Sequence, residues 1–282
     1  MTSKELISRV RNLKAPSPSV TKLITAVTDP EADNEKILEI IRRDAALCAK
    51  LLSLCNRATV GVSSVASIDR AVMYLGHRAV HRLALSIGFG AALAPAVPGY
   101  AMNQTELWRH SLHTAFISQL VLEKSNFPDQ DASVSYTAGL VHDIGKLVIG
   151  QFIDPSQQQT ILELLNRDQC ELLEAERRII GVDHAEVGAL LLEKWGLPKI
   201  IIEAVANHHN PAISPSPQLS TIVHTADLIA HQTGSCPGIA SFAVRANEEA
   251  VNALGIHESE FEALIISALD AHQLVEEMAA AA

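Results

Sequence analysis

Gly139-Leu140-Val141-His142-Asp143-Ile144-Gly145-Lys146 is the stretch on which the reading of this chain turns. An adjacent His-Asp pair offers a metal two ligands from one point of the backbone, and the carboxylate can bridge two ions. The neighbours Ala138, Gly139, Leu140, Val141 and Ile144 are small or apolar, so the pair is expected inside a packed helix. Buried aspartate is rare unless paired, and an unneutralised buried charge is costly or shifts its pKa. The pair therefore calls for a cation or strong hydrogen-bond donors.

Partners of the right kind recur along the chain, each a polar residue in apolar company. His110 lies near Leu107, Ala115 and Ile117, with Glu106 one turn earlier on the same face. His184 follows Asp183, a candidate N-cap, and opens an amphipathic helix to Trp195. His208 and His209 close a helix that Pro198 opens. Asp227 sits among Ile222, Val223, Ala226, Leu228 and Ile229. Five of the twelve histidines thus join two aspartates as candidate ligands.

The surroundings read as helix almost throughout. The chain of 282 residues is 48% hydrophobic but only 4% aromatic, and Ala, Leu, Ile and Val dominate, which favours helices over sheet. Helices are expected at about 17–28, from a cap at Asn34, from a cap at Asp44, from a cap at Ser67 to Gly76, and over 77–89. Beyond a Pro/Gly break at 93–103 they are expected at about 104–124, 132–147, 156–180 and 183–195, from Pro198, and from Leu219 onward. The break at 93–103 is the expected boundary between an N-terminal helical part (1–97) and a larger unit (98–255). A C-terminal helix and frayed tail follow (256–282).

Net charge is −10, against a nucleic-acid partner, which needs a basic surface. Arg78, His81 and Arg82 read as a solvated helix face, and His77, His257 and His272 as surface. Glu171, Glu174, Glu176, Arg177 and Arg178 read as a solvated charged face as well. Trp108 and Trp195 are expected to anchor the core. His224 and His231 flank Asp227 on one face and read first as helix surface, with support of the ligands as the alternative, and His113 reads as a core or supporting histidine. Cys48, Cys55, Cys170 and Cys236 form no CxxC pair, which points to a reduced cytoplasmic protein. No signal-like apolar segment follows Met1, and no apolar run reaches the ~20 residues of a membrane span.

The order His110, His142-Asp143, His184, His208-His209, Asp227 resembles the HD superfamily of metal-dependent phosphohydrolases. Trp108-Arg109-His110-Ser111-Leu112-His113-Thr114-Ala115, the opening octad and Asp183-His184-Ala185-Glu186-Val187-Gly188 carry that resemblance. The N-terminal third resembles the HDOD family, a bacterial signalling branch of that superfamily. Its motifs here are Asp44-Ala45-Ala46-Leu47, Leu54-Cys55-Asn56-Arg57-Ala58 and Ser67-Ile68-Asp69-Arg70-Ala71-Val72-Met73-Tyr74-Leu75-Gly76. The resemblance spans about residues 13–232.

It implies an all-α fold: an HD-type helical domain with a smaller N-terminal helical bundle packed on it. It implies two divalent transition metal ions, drawn from Fe, Mn, Zn or Co. One ion would take His110, His142, Asp143 and Asp227; the other would take His184, His208 and His209, with Asp143 bridging. Asp143 and Lys146 are the candidate catalytic residues, Lys146 contacting a bridging hydroxide or a phosphate oxygen. Glu106 matches a further ligand of some HD-GYP relatives. Asn210-Pro211-Ala212 follow His209 where those phosphodiesterases carry Glu and then Gly-Tyr-Pro, so cyclic di-GMP hydrolysis is disfavoured. The leading expectation is a regulatory protein with an occupied metal site, acting on a signalling partner or a nucleotide-like phosphate ligand. The alternative is a metal-dependent phosphohydrolase acting on a nucleotide or phosphate ester.

Overall fold

A computed structural model of the chain describes residues 5–6, 8, 15–29, 31–58, 65–167, 170–235, 237–239 and 246–280. Every regular element among them is helical, apart from an isolated antiparallel bridge between Val97 and Met102. The all-α expectation holds.

The N-terminal part holds α1 (Pro18–Val27), α2 (Asn34–Arg43), α3 (Ala45–Ala58) and α4 (Ile68–Leu93). Asp44 and Ser67 cap α3 and α4 as expected, accepting from Leu47 N and Arg70 N. The cap of α2 is Asp33 and not Asn34: its carboxylate accepts from Lys36 N at 2.7 Å. Gly76, at φ 79°, kinks α4 where the sequence predicts a helix end. A left-handed φ there suits glycine alone among common residues. Asn56 trades two hydrogen bonds with the backbone of Val65, tying the end of α3 to the approach to α4. The side chain of Arg57 and the whole of Cys236 lie outside the described residues.

The larger part holds α5 (Glu106–Lys124), α6 (Ala132–Val141), α7 (Lys146–Ile149), α8 (Pro155–Arg167), α9 (Leu172–Ile180), α10 (His184–Lys194), α11 (Lys199–Asn207), α12 (Pro217–Gln232), α13 (Glu248–Ala253) and α14 (Glu258–Ala280). Two expected helices are each split. The run 132–147 breaks at His142, whose ring takes the Gly139 carbonyl that the next turn would use; turn-type bonds such as Lys146 N to Asp143 O then close residues 142–146. The run 156–180 ends at Arg167 and restarts at Leu172. Pro198 is the N-cap of α11 and not its first helical residue.

Helix α5 is the hub, packed against α6, α12 and α14. One apolar core runs from Leu6 to Val275 and includes residues on both sides of the 93–103 break, among them Leu85, Phe89, Tyr100, Leu112 and Leu140. A second cluster joins α5, α12 and α14 through Ile117, Ile222, Ile229 and Leu264. Trp108 is buried and Trp195 half-buried against this core. His81 departs from the surface reading: it is buried at 3% exposure on the face of α4 that carries Val80, Ala84 and Leu85. No helix among the described residues is long and apolar enough to cross a membrane.

Candidate metal centre

Five separate pieces of chain meet at one point. Helix α5 brings His110, the turn after α6 brings His142 and Asp143, and the first turn of α10 brings His184. The end of α11 brings His208 and His209, and α12 brings Asp227. Local rules explain why each piece ends there. Asp183 caps α10 through Glu186 N at 2.8 Å, which places His184 at the first helical position. His208 is the C-cap of α11, where the chain leaves the helix and lets consecutive histidines face one region.

These residues form two groups whose candidate ligand atoms lie within 4.8 Å of one another: His110, His142 and Asp227, and Asp143, His184, His208 and His209. Asp143 stands between them. Its Oδ2 is 3.5 Å from both His110 Nε2 and His142 Nε2, and its Oδ1 is 3.3 Å from His184 Nε2. His110, His142, His184 and His208 are fully buried, Asp143 and Asp227 almost so, and only His209 is half-exposed.

The imidazoles are held from behind. The Nδ1 atoms of His110, His142 and His208 lie 2.9, 2.8 and 2.7 Å from the carbonyls of Ser235, Gly139 and Val205. A carbonyl only accepts, so each Nδ1 carries the proton and each Nε2 turns a lone pair inward. There His110 Nε2 meets His142 Nε2 at 3.3 Å, and His184 Nε2 meets His209 Nε2 at 3.0 Å. His208 Nε2, Asp143 Oδ1 and Asp227 Oδ1 are buried and make no aligned hydrogen bond. Inward lone pairs and orphaned carboxylate oxygens fit a cation. An imidazole fixed through its other nitrogen is the usual arrangement of a metal-binding histidine.

Electrostatics point the same way. Burial lowers the His110 pKa to about 4 and, with neighbouring imidazoles, holds His208 and His209 well below the ordinary value. These rings are neutral and able to ligate. Burial opposes the charges of Asp143 and Asp227, yet both stay well below the usual carboxylate range: Lys146 and His142 outweigh it for the first, His231 and His110 for the second. Burial also opposes charge on His184, but Glu176 and Asp143 outweigh it and raise that pKa to about 9. His184 Nε2 thus attracts positive charge, a proton or a metal ion.

Lys146 is buried with its ammonium against Asp143 Oδ2. Glu106 does not join either group; it accepts from Asn103 N at 2.8 Å at the start of α5. His231 is more than surface: it is nearly buried, with Nδ1 3.1 Å from Asp227 Oδ1 and its ring against that of His110. His224 is buried too, 2.8 Å from the His208 carbonyl. His113 supports α14, its Nε2 2.7 Å from the Ala268 carbonyl and its ring on His272.

The reading of residues 171–178 as a solvated face fails at Glu176, which is fully buried and binds His184 Nδ1 at 2.9 Å. Leu172, Glu176 and Ile180 are spaced by four, so the register placed this acid in the apolar stripe. Arg177 stays exposed, as expected, and binds Asp183 Oδ2 at 2.6 Å.

Residues 13–211 match the model of the HDOD domain family. An uncharacterized protein of Treponema pallidum (strain Nichols) is 26% identical over 245 residues, covering 82% of this chain and 45% of that protein. The chain spans less than half the length of the curated relatives it matches. The crystal structure of an HDOD domain protein of unknown function from Geobacter sulfurreducens superposes with TM-score 0.73 at 22% identity, covering 98% of this chain and 96% of that one. A Marinobacter aquaeolei VT8 protein assigned to signal transduction superposes with TM-score 0.76 at 20% identity, covering 99% of this chain and 64% of that one. These structures share the fold, and the family match covers most of the sequence: the chain belongs to the HDOD family.

Proposed function

We propose that this chain is an HDOD regulatory protein whose buried His/Asp centre holds two divalent transition metal ions. It would pass a signal by binding a protein partner or a nucleotide-like phosphate ligand, in the bacterial cytoplasm. His110, His142 and Asp227 would hold one ion and His184, His208 and His209 the other, with Asp143 between them. Residues 98–255 would form the metal-binding unit on which residues 1–97 are packed.

The observation that carries this reading is the set of inward-facing, buried donor atoms gathered around Asp143 and Asp227. The enclosure favours holding over turnover, since His209 is the one half-exposed member of the set. A second reading, phosphohydrolysis of a nucleotide or phosphate ester, draws on Lys146 beside Asp143. Bound ions would supply Lewis acidity toward a phosphate.

Elemental analysis of protein purified without chelator from iron- and manganese-supplemented medium tests the site, with anomalous scattering to place the ions. Bound transition metal is expected; its absence overturns the reading. A phosphatase and phosphodiesterase panel with added Mn²⁺ or Fe²⁺ then separates the alternatives. Turnover abolished by Asp143→Ala would establish the phosphohydrolase.

A further inference from the structure

Glu176 has no role in the ligand set, yet it is fully buried beside it. Three donors converge on its carboxylate. The His184 backbone N–H donates to Oε2 at 2.8 Å, His184 Nδ1 lies 2.9 Å from both oxygens, and the Tyr100 hydroxyl donates to Oε1 at 2.7 Å. Tyr100, also fully buried, belongs to the short 3₁₀ turn Pro98–Tyr100, between the helices of the N-terminal part and α5. That turn is itself held: the Val97 and Met102 backbones pair, and Gln158 Nε2 donates to the Pro98 carbonyl at 2.8 Å.

None of the three donors is a fixed cation. A metal ion held by His184 Nε2 would lie across the ring from the Glu176 carboxylate. A carboxylate behind a ligating imidazole fixes its tautomer and orientation and strengthens it as a ligand. The same carboxylate is gripped on its other side by the turn that joins the two parts of the molecule.

Resting on the metal-centre reading above, we infer that Glu176 is the positioning residue for cation binding at His184, and that the Tyr100–Glu176 hydrogen bond couples that binding to the order of the connecting segment 97–102. A cation on Nε2 leaves His184 donating Nδ1–H to Glu176. The carboxylate is then fixed, and it holds the Tyr100 hydroxyl. His184 Nδ1 and the Tyr100 hydroxyl share Oε1 of that carboxylate, so a ring fixed from its Nε2 side would fix the group that holds Tyr100. Order at the junction between the N-terminal helices and the centre thereby depends on metal.

The test uses the full chain with Zn²⁺ as probe, its affinity read by competition with a chromophoric chelator. Glu176→Gln keeps one acceptor oxygen but places an NH₂ group against a donor, so Zn²⁺ binding at the His184 half should weaken about 10–100-fold. In the wild type, ¹⁵N shifts of His184 should report Nδ1–H with Nε2 metallated. Zn²⁺ should also slow amide exchange across residues 97–102. Tyr100→Phe, which removes one hydroxyl and keeps the ring, should bind Zn²⁺ and lose that protection.

Wild-type affinity in Glu176→Gln would overturn the positioning role. Zn²⁺-dependent protection that survives in Tyr100→Phe would overturn the coupling. Should Glu176→Gln not fold, the wild-type ring shifts decide the positioning role, since His184 metallated through Nδ1 would overturn it. A wild-type chain that takes up no Zn²⁺ would fail the metal-centre reading itself, an outcome distinct from the other three.

Discussion

Gly145 lies so close to His184 that a Cβ built on it would fall 1.9 Å from the His184 carbonyl oxygen. The turn carrying His142 and Asp143 therefore sits directly on the first turn of α10, and the two halves of the candidate centre meet across a glycine. Gly145→Ala has no room, because the obstacle is backbone. Overpacking of this kind costs about 1–3 kcal/mol, and the shift moves Asp143 away from His184. Lower urea resistance together with loss of Zn²⁺ uptake is the expected outcome. Unchanged Zn²⁺ affinity in a stably folded Gly145→Ala protein would contradict it.

Asp143 presents one oxygen to each group of histidines, whereas Asp227, with His231 beside it, faces only His110 and His142 of the candidate ligands. The two aspartates should then differ in stoichiometry. Asp227→Ala is expected to reduce bound Zn²⁺ from two ions to one, and Asp143→Ala to weaken both. Elemental analysis of dialysed protein measures this directly. Equal ion content in the two variants would show that Asp143 does not serve both halves.

Lys146 lies against the Asp143 carboxylate, and bound cations would offset the same group. Lys146→Met, measured with the ions chelated, strands Asp143 without its fixed cation; breaking a buried pair in this way costs about 3–5 kcal/mol. With saturating Zn²⁺ the ions offset Asp143, and the cost should fall. Urea unfolding of wild type and variant in Zn²⁺ and in EDTA gives both differences. A cost that is the same in both conditions would mean that Lys146 and the ions do not share a partner.

His81 should make the fold acid-sensitive independently of the centre. Burial, with His77 nearby, lowers its pKa from 6.5 to about 4, and Asp131 only partly opposes this. The folded value lies below the unfolded one, so folding favours the neutral ring. The stability it contributes is complete above about pH 6.5 and is lost as pH falls toward about 4. In chelator, His81→Leu should show a smaller drop in unfolding free energy than wild type between about pH 7 and about pH 5. Parallel pH profiles would show that His81 is not a source of the acid sensitivity.

Much of the centre was legible in the sequence because its determinants are local. A His-Asp pair in a small apolar run, an Asp183 cap before His184, and histidines where α11 ends each follow from spacing and flanking residues. Helix starts at Asp44 and Ser67 follow from capping chemistry in the same way. The split of 132–147 was harder to see. Nothing in its apolar run ends the helix; the His142 ring does, by taking the Gly139 carbonyl.

Glu176, His81 and His231 were misread for one reason. Whether a polar side chain is solvated depends on what covers it, and the covering element comes from elsewhere in the chain. Glu176 sits in a charged run, but Tyr100, 76 positions earlier, folds over it.

By itself the sequence determined the helical class, the family and the identity of the seven candidate ligands, since periodicity, caps and residue order are properties of neighbouring positions. Only the tertiary structure decided that Asp143 faces both groups of histidines, that all of the set but His209 is buried, and that Glu176 and Tyr100 stand behind His184. Those facts depend on distances between segments far apart in the chain. Packing sets such distances, through close approaches such as that of Gly145 to His184.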